Sequence, residues 1–413
     1  MKKLLLSALA IALTLTAVPQ FVFAGGIDNK QNFSARYVAT GSRNAALDGA
    51  DIAAYNPAGI MMKEDNGFIF QADVQYIPKD YEQDVDNTDF NTGATVLIGG
   101  SGIDGAFSGD QDEPSTVPTF FTTYKNDKWG AFGSFTVNGG GGEVDYKDGN
   151  AITNQVAQSI YLGAYRNGAE YGFTGGPNFT SLTSNESIFA DSYYYTFTAG
   201  GTYAFTDQIS MALGARYVMA EKSIEARADV NTYDPGVIAD YEQDADGMGF
   251  VIGFDYKATD TLNFAIRYES EVSLEFDTDI AGGNTELGNA ILESLGKADS
   301  NYNGVDEDRN LPAVLGLGIS KQLTDRFTVD TSFTYYFEEQ ADWDGQEDEV
   351  SNSWDFGIAG TYSVTDDFRI SAGYLHTDVG ISADDYDLIA KLNPPLDAHT
   401  LAIGCGYDIN DKM

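Results

Sequence analysis

The sequence predicts an all-β fold, an antiparallel transmembrane β-barrel of the bacterial outer-membrane type. Three observations predict it. Long runs alternate apolar and polar side chains, short turns alternate along the chain with long acidic connections, and an export leader opens the chain.

The leader comes first. Residues 1–24 carry Lys2 and Lys3, an apolar run from Leu4 to Ala17, and small residues at Val22 and Ala24, the two positions that specify cleavage. This is the layout of a signal peptide cleaved after Ala24. Its apolar run is too short to span a bilayer, and the charged start and small-residue stop disfavour an ordinary buried helix. No cysteine follows it to take a lipid anchor.

The rest of the chain reads as exported β protein. It has no apolar run of helix-spanning length, and its 25 Tyr, 25 Phe and 45 Gly favour strands and tight turns. Cys405 is the one cysteine, so stability must come from strand pairing rather than an intrachain disulfide. A net charge of −40 repels phosphate backbones and excludes nucleic acid as a partner.

Between the leader and the first strand lies a small-residue stretch, residues 41–59. It ends in Asn56-Pro57-Ala58-Gly59, a turn that stops a helix because proline lacks a donor and Asn and Gly tolerate left-handed dihedrals.

Alternation marks the strands. Leu262, Phe264, Ile266, Tyr268, Ser270, Val272, Leu274 and Phe276 share one parity, and Asn263, Ala265, Arg267, Glu269, Glu271, Ser273 and Glu275 the other. One strand over residues 261–276 is expected, with Val272, Leu274 and Phe276 on the apolar face. A soluble sandwich alternates too. The length of the runs, the aromatics at their ends (residues 193–195 and 335–337) and the charges on the polar face favour a membrane wall, because a dry core would reject those charges. Twelve strands are counted, at residues 67–77, 117–125, 128–138, 192–205, 208–220, 247–257, 261–276, 311–322, 326–337, 353–364, 368–377 and 399–409.

Six short turns fall between these runs, at residues 126–127, 206–207, 259–260, 324–325, 365–366 and 410–411, and the connections between successive short turns are long and acidic. Short turns face the periplasm in such barrels and long loops face outward. After Asn410-Asp411 a further up strand is expected, so the barrel is expected to lack its last hairpin here.

Chemistry-bearing residues are few. His376 and His399 have neither a nucleophile elbow nor a zinc-type spacing, so no catalytic residue is assigned and both read as rim residues. Asp299, Asn301, Asn303 and Glu307 match the first nine positions of a calcium loop, but Asn310 stands where the bidentate glutamate belongs. A structural Ca²⁺ and a solvated acidic loop are the two readings. Other acidic stretches, including residues 338–349, read as solvated outer loops or as bridges through divalent cations to lipopolysaccharide. Asn138-Gly139-Gly140-Gly141-Gly142 ends the third strand, and a glycine run there marks either a kink in the wall or the start of a flexible loop. Arg216, Arg267 and Arg369 are placed inward by parity, where they would hold a ligand carboxylate or pair with Glu269, Asp330 or Asp355.

A leader, then about forty residues containing Asn-Pro-Ala-Gly, then a barrel, forms a pattern. With residues 32–37 (Asn-Phe-Ser-Ala-Arg-Tyr), Gly41 and residues 53–59 (Ala-Ala-Tyr-Asn-Pro-Ala-Gly), the chain resembles the FadL-like outer-membrane transporters of long-chain fatty acids and hydrocarbons. The resemblance implies a monomeric barrel of 14 strands, of which 12 are visible here, with residues 25–66 folded as a hatch inside a barrel formed by residues 67–413. It implies passive transport without a cofactor: a hydrophobic ligand is caught from outside, passes into the lumen, and leaves sideways into the outer membrane at a kink in the third strand, the place of Asn138–Gly142. Asn56, Pro57, Ala58 and Gly59 become the gating hinge of the hatch. Phe33 joins the three arginines as a candidate ligand contact, and membrane lipid and lipopolysaccharide surround the wall. The rivals are a general diffusion porin, which would want an inward-folded loop rather than an N-terminal plug, and a structural or adhesive surface barrel.

Overall fold

The computed structural model describes residues 27–63, 65–77, 80–85, 105–110, 115–149, 184–230, 237–381 and 397–408. The leader and the turn at residues 410–411 lie outside them. The strands are β1 Gly67–Ile77, β2 Asp80–Val85, β3 Gly105–Asp110, β4 Ser115–Lys125, β5 Trp129–Tyr146, β6 Ser184–Ala204, β7 Ile209–Val230 and β8 Val237–Thr259. They continue as β9 Leu262–Glu269, β10 Glu275–Ile280, β11 Glu307–Asp308, β12 Val314–Thr324, β13 Phe327–Tyr336, β14 Trp354–Ser363, β15 Phe368–Asp378 and β16 Ala398–Tyr407.

Twelve of them form one antiparallel wall in the order β1-β4-β5-β6-β7-β8-β9-β12-β13-β14-β15-β16, and β2, β3, β10 and β11 lie off that path. Each of the twelve counted segments falls on a wall strand. The two further strands of a fourteen-stranded barrel are not among the described residues. Five of the six short turns join neighbours in the wall, and threonine makes four of them: the Thr206 hydroxyl accepts from the Ile209 amide at 3.0 Å, and Thr365 accepts from Phe368 at 3.0 Å.

The wall is apolar outside and polar inside. Along β8, Phe254 and Tyr256 are 36% and 38% exposed, while Asp255 between them is 0% exposed. Met248, Leu401 and Ile403 lie outward as well, whereas Arg216, Arg267, Glu269 and Asp355 are buried inward. A water-soluble sheet buries the opposite face, so this polarity fits a wall bathed in hydrocarbon. β6, β7 and β8 run 21, 22 and 23 residues. That is about twice what a tilted spanning strand needs, so their outer ends rise beyond the lipid.

Residues 27–63 fill the inside and touch the wall all the way round. Gln71 on β1 accepts from the Ala50 amide, Ser210 on β7 donates to Ala58 O, Asn263 on β9 to Ala45 O, and Ser371 on β15 to Ala39 O. Contacts to the first, middle and near-last strands from one short segment mean that the sheet wraps around it.

Two expectations need correction. The strand expected over residues 261–276 ends at Glu269, and Val272, Leu274 and Phe276 do not face lipid but are fully buried. The chain crosses the inner face of β8 at Gly247 and Gly249, where a Cβ at Gly247 would collide with Ser273 O and one at Gly249 would lie 2.7 Å from the Ser270 hydroxyl. Val272 pairs with Leu311, and together with Leu274 and Phe276 it packs against Tyr194, Val218, Ala220 and Ala245. The loss of inner polar partners there makes an apolar interior the better place for these side chains. Glu338 is the second correction. It is 0% exposed rather than solvated, and its carboxylate accepts from the Ile27 and Ser353 amides and the Ser353 hydroxyl.

Candidate functional site: plug, inner apolar cluster and wall gap

The plug is built from short capped turns. Ser34 caps the helix Ala35–Val38, its hydroxyl accepting from the Tyr37 amide at 3.1 Å. Asn56 caps the 3₁₀ helix Pro57–Met62, accepting from the Gly59 amide at 3.2 Å, and Pro57 sits at the first position, where a missing N–H costs nothing. Arg43 ties the segment together, donating to Asp51 at 2.7 Å and Asp48 at 2.8 Å. The Ala-rich composition has a packing reason: Ala46, Ala53 and Ala58, with Ile52 and Ile60, press against Phe132, Ala212 and Val251 of the wall.

Asn56 also anchors the plug to the wall. Its amide donates to Asp255 Oδ2 at 2.6 Å, and Asn263 donates to the same oxygen at 2.8 Å. It donates in addition to Ala46 O at 3.2 Å. The sequence reading made Asn56 to Gly59 a hinge, and the geometry makes Asn56 a buried pin near the short-turn end. At the other end Ile27 packs with Ala341, Trp343 and Val379, and Asp28 pairs with Arg309 at 2.7 Å. Burial lifts the Glu338 carboxyl, which receives the Ile27 amide, to about 7, against the lowering effect of its hydrogen bonds from Ser353 and Ile27. Burial likewise draws Lys63, which donates to Gly49 O, down to about 8.

Above the plug, Val272, Leu274 and Phe276 pack with Tyr194 and Leu311 as a buried apolar cluster. Lys222 Nζ lies 4.0 Å from the Phe276 ring centroid. Tyr194 of this cluster pairs with Gly139 of β5, beside a stretch where the wall ladder is interrupted, as it also is between β8 and β9 beyond Val251. β4 pairs with β1 along all its length, but its pairing with β5 stops at Phe120 and Phe135. β5 continues to Tyr146 paired with β6, its register slipping between Val137 and Gly139 and again between Gly139 and Gly142. The β4-facing edge of β5 is thus open over Thr136 to Gly142, apart from one contact of Asp145 with Asp110. The plug lies directly behind: the Lys30 amide donates to Asn138 O, and a Cβ on Gly139 would lie 2.5 Å from Asp28 O. On the lipid side of the last paired residues is an apolar pocket of about 470 Å³ lined by Phe70, Phe120, Phe135, Phe197 and Met248, and also touching buried Phe121 and Arg216.

The other singled-out residues are placed as follows. Arg216 pairs with Glu269 at 2.9 Å, leaving Nη2 buried and without a hydrogen bond. Arg267 pairs with Glu269 at 3.2 Å and donates to Gln31 Oε1 of the plug at 2.6 Å and to Ala54 O. Both take the lumen acid that was their alternative partner. Arg369 pairs with Asp408 at 2.9 Å, not with Asp330 or Asp355. Phe33 stacks on Tyr55 inside the plug, ring centroids 5.7 Å apart. Of the calcium-loop residues, Asp299 accepts from the Asn301 and Asn303 amides and from the Asn303 side chain, while Glu307 is held by Lys297 and Gln243. The carboxylate at Asp299 stabilises its own turn. Asp255, Glu338 and the inner apolar cluster were missed; inward-parity glycines at 247 and 249 were the available sign of a close chain crossing.

Residues 203–413 match the family model described as outer membrane protein transport protein (OMPP1/FadL/TodX). That is half of the chain. The chain belongs to the OMPP1/FadL/TodX family of outer-membrane transport proteins. The matched residues begin at the end of β6, so the plug of this family member lies outside them. Among solved structures, the toluene transporter TodX of Pseudomonas putida is 12% identical with a TM-score of 0.58, covering 94% of this chain and 91% of that one. A Pseudomonas aeruginosa FadL homologue is 15% identical at TM-score 0.59 (93% and 88% covered), and the toluene transporter TbuX of Ralstonia pickettii 13% identical at 0.54 (92% and 90%). These establish a shared FadL/TodX barrel fold. No curated protein matches in sequence.

Proposed function

We propose that this barrel carries long-chain fatty acids or aromatic hydrocarbons passively across the outer membrane, releasing them sideways between β4 and β5. The observation that carries the reading is the end of β4–β5 pairing at Phe120 and Phe135, with an apolar pocket on the lipid side and a packed apolar cluster within. The named relatives TodX and TbuX are toluene transporters, which supports the substrate class. Hydrocarbon gains by leaving water, so the protein need only bypass the hydrated outer leaflet. Lateral release avoids re-exposing apolar surface in the periplasm, at about 0.8 kcal/mol per CH₂. No energy source is needed. The plug obstructs the axial route, which disfavours an open diffusion porin.

The test joins Thr119→Cys and Thr136→Cys, the positions just past the last β4–β5 pair, in a Cys405→Ser background, using a cleavable bis-methanethiosulfonate cross-linker. Uptake of radiolabelled fatty acid and toluene by expressing cells should fall on cross-linking and return on reduction. Full uptake through the cross-linked protein would refute lateral exit; uptake no higher than in empty-vector cells would refute transport itself.

A further inference from the structure

The chain has two histidines, 23 positions apart, and the fold places them side by side. His376 on β15 and His399 on β16 are direct cross-strand partners, with ring centroids 4.7 Å apart and nearly parallel planes at 16°. Cβ atoms in such a pair stand about 5 Å apart, within joint reach of one ion. They share the outward face with Tyr374, Leu401 and Ile403, near the outer ends of the two strands. The Trp354 ring packs edge-on against His376 at 5.1 Å.

The neighbours complete a donor set. Asp378 follows His376 by two positions and therefore shares its face, and Asp397 precedes His399 by two. Thr377 pairs with Ala398, so Asp378 and Asp397 follow the histidine pair along the same two strands. Asp397 Oδ1 accepts from the Val379 amide at 2.9 Å, which holds it toward β15 while its other oxygen stays available. His376 Nδ1 is buried without a hydrogen-bond partner. His399 Nδ1 lies 2.7 Å from the Tyr374 hydroxyl. If His399 ligates through Nε2, its proton sits on Nδ1 and is donated to Tyr374 Oη, the usual outer support of a metal-bound imidazole.

We propose that His376, His399, Asp378 and Asp397 form a binding site for a first-row divalent transition ion of the zinc, nickel or copper class. Two imidazoles and two carboxylates suit four-coordinate zinc, and imidazole selects such ions over calcium and magnesium. With the rings stacked the nitrogens do not converge, so binding requires His376, packed against Trp354, and His399 to rotate toward the two carboxylates. An ion there clamps β15 to β16 at the outer boundary of the membrane, just below the loop joining them.

The test is titration of the purified full chain in detergent with Zn²⁺ and Ni²⁺ by calorimetry, and with Cu²⁺ by electron paramagnetic resonance. One ion per chain is expected, with two nitrogen ligands in the copper spectrum. His376→Ala and His399→Ala should each weaken binding by at least roughly tenfold and leave one nitrogen; Tyr374→Phe, the outer support, should weaken it by roughly 10-fold or more. Glu286→Gln, on the helix Glu286–Ser294, should change nothing. These residues face outward, and unchanged heat-modifiable gel migration verifies folding of each variant. Equal affinity in wild type and the His376→Ala, His399→Ala double variant, or a copper spectrum without histidine nitrogens, would overturn the site.

Discussion

Replacing Asn56 by alanine should loosen the plug without unfolding the barrel. The wild-type amide group caps the helix Pro57–Met62 and donates to the buried Asp255 carboxylate at 2.6 Å. Loss of the cap costs about 1 kcal/mol, and loss of a hydrogen bond to a buried charged group about 1.5–3 kcal/mol. Asn263 still serves the same Asp255 oxygen, which favours the lower end of that range. A total of about 3 kcal/mol raises the displaced-plug population roughly a hundredfold. Hydrogen exchange with mass spectrometry on peptides covering residues 44–62, against wall-strand peptides as control, reads this directly. Asn56→Ser, which keeps a capping oxygen but cannot reach Asp255, should fall between alanine and wild type. Unchanged protection of residues 44–62 in Asn56→Ala would refute the pin.

Other consequences follow from individual contacts. Glu338 has its carboxyl raised from 4.5 to about 7, so the folded state holds this proton more tightly than the unfolded one; its contribution is full below pH 4.5 and is lost as pH rises to 7, at most about 3 kcal/mol. Glu338→Gln should flatten stability against pH across that window in urea titrations, and an unchanged slope would show that the group does not titrate there. Arg267→Ala should cost about 3–5 kcal/mol by stranding its share of Glu269 and releasing Gln31 and Ala54, seen as a lower urea midpoint. A valine at Gly139 would meet Asp28 O and the Tyr194 ring, so Gly139→Val should raise exchange at residues 27–30 while leaving residues 44–62 protected. Asp299→Ala should loosen its turn, measured as faster local exchange at residues 299–303.

The strands were legible because a spanning strand is written locally. Alternation in Phe327 to Tyr336 or Ile209 to Tyr217 needs no knowledge of partners, and a Thr-Asp turn makes its own hydrogen bonds. The same local rule misled at Val272, Leu274 and Phe276, where alternation continues but the chain has left the wall. Their destination depends on Tyr194, Val218 and Leu311, tens of positions away, and on glycines that let two backbones meet.

For the site, the sequence by itself determined that residues 41–59 were small and turn-ended and that residues 138–142 could not pair as an ordinary strand, because glycine and proline constrain the backbone wherever they stand. It left Arg216 and Arg267 open between a ligand carboxylate and a lumen acid. Only the tertiary structure decided that Asn56 lands on Asp255 from 199 positions away, that the β4–β5 ladder stops at Phe120, that Glu338 closes over Ile27, and that the two histidines stack across β15 and β16. Those are contacts between distant segments, fixed by register and by what fills the barrel, and neither quantity is carried by the periodicity of any one strand.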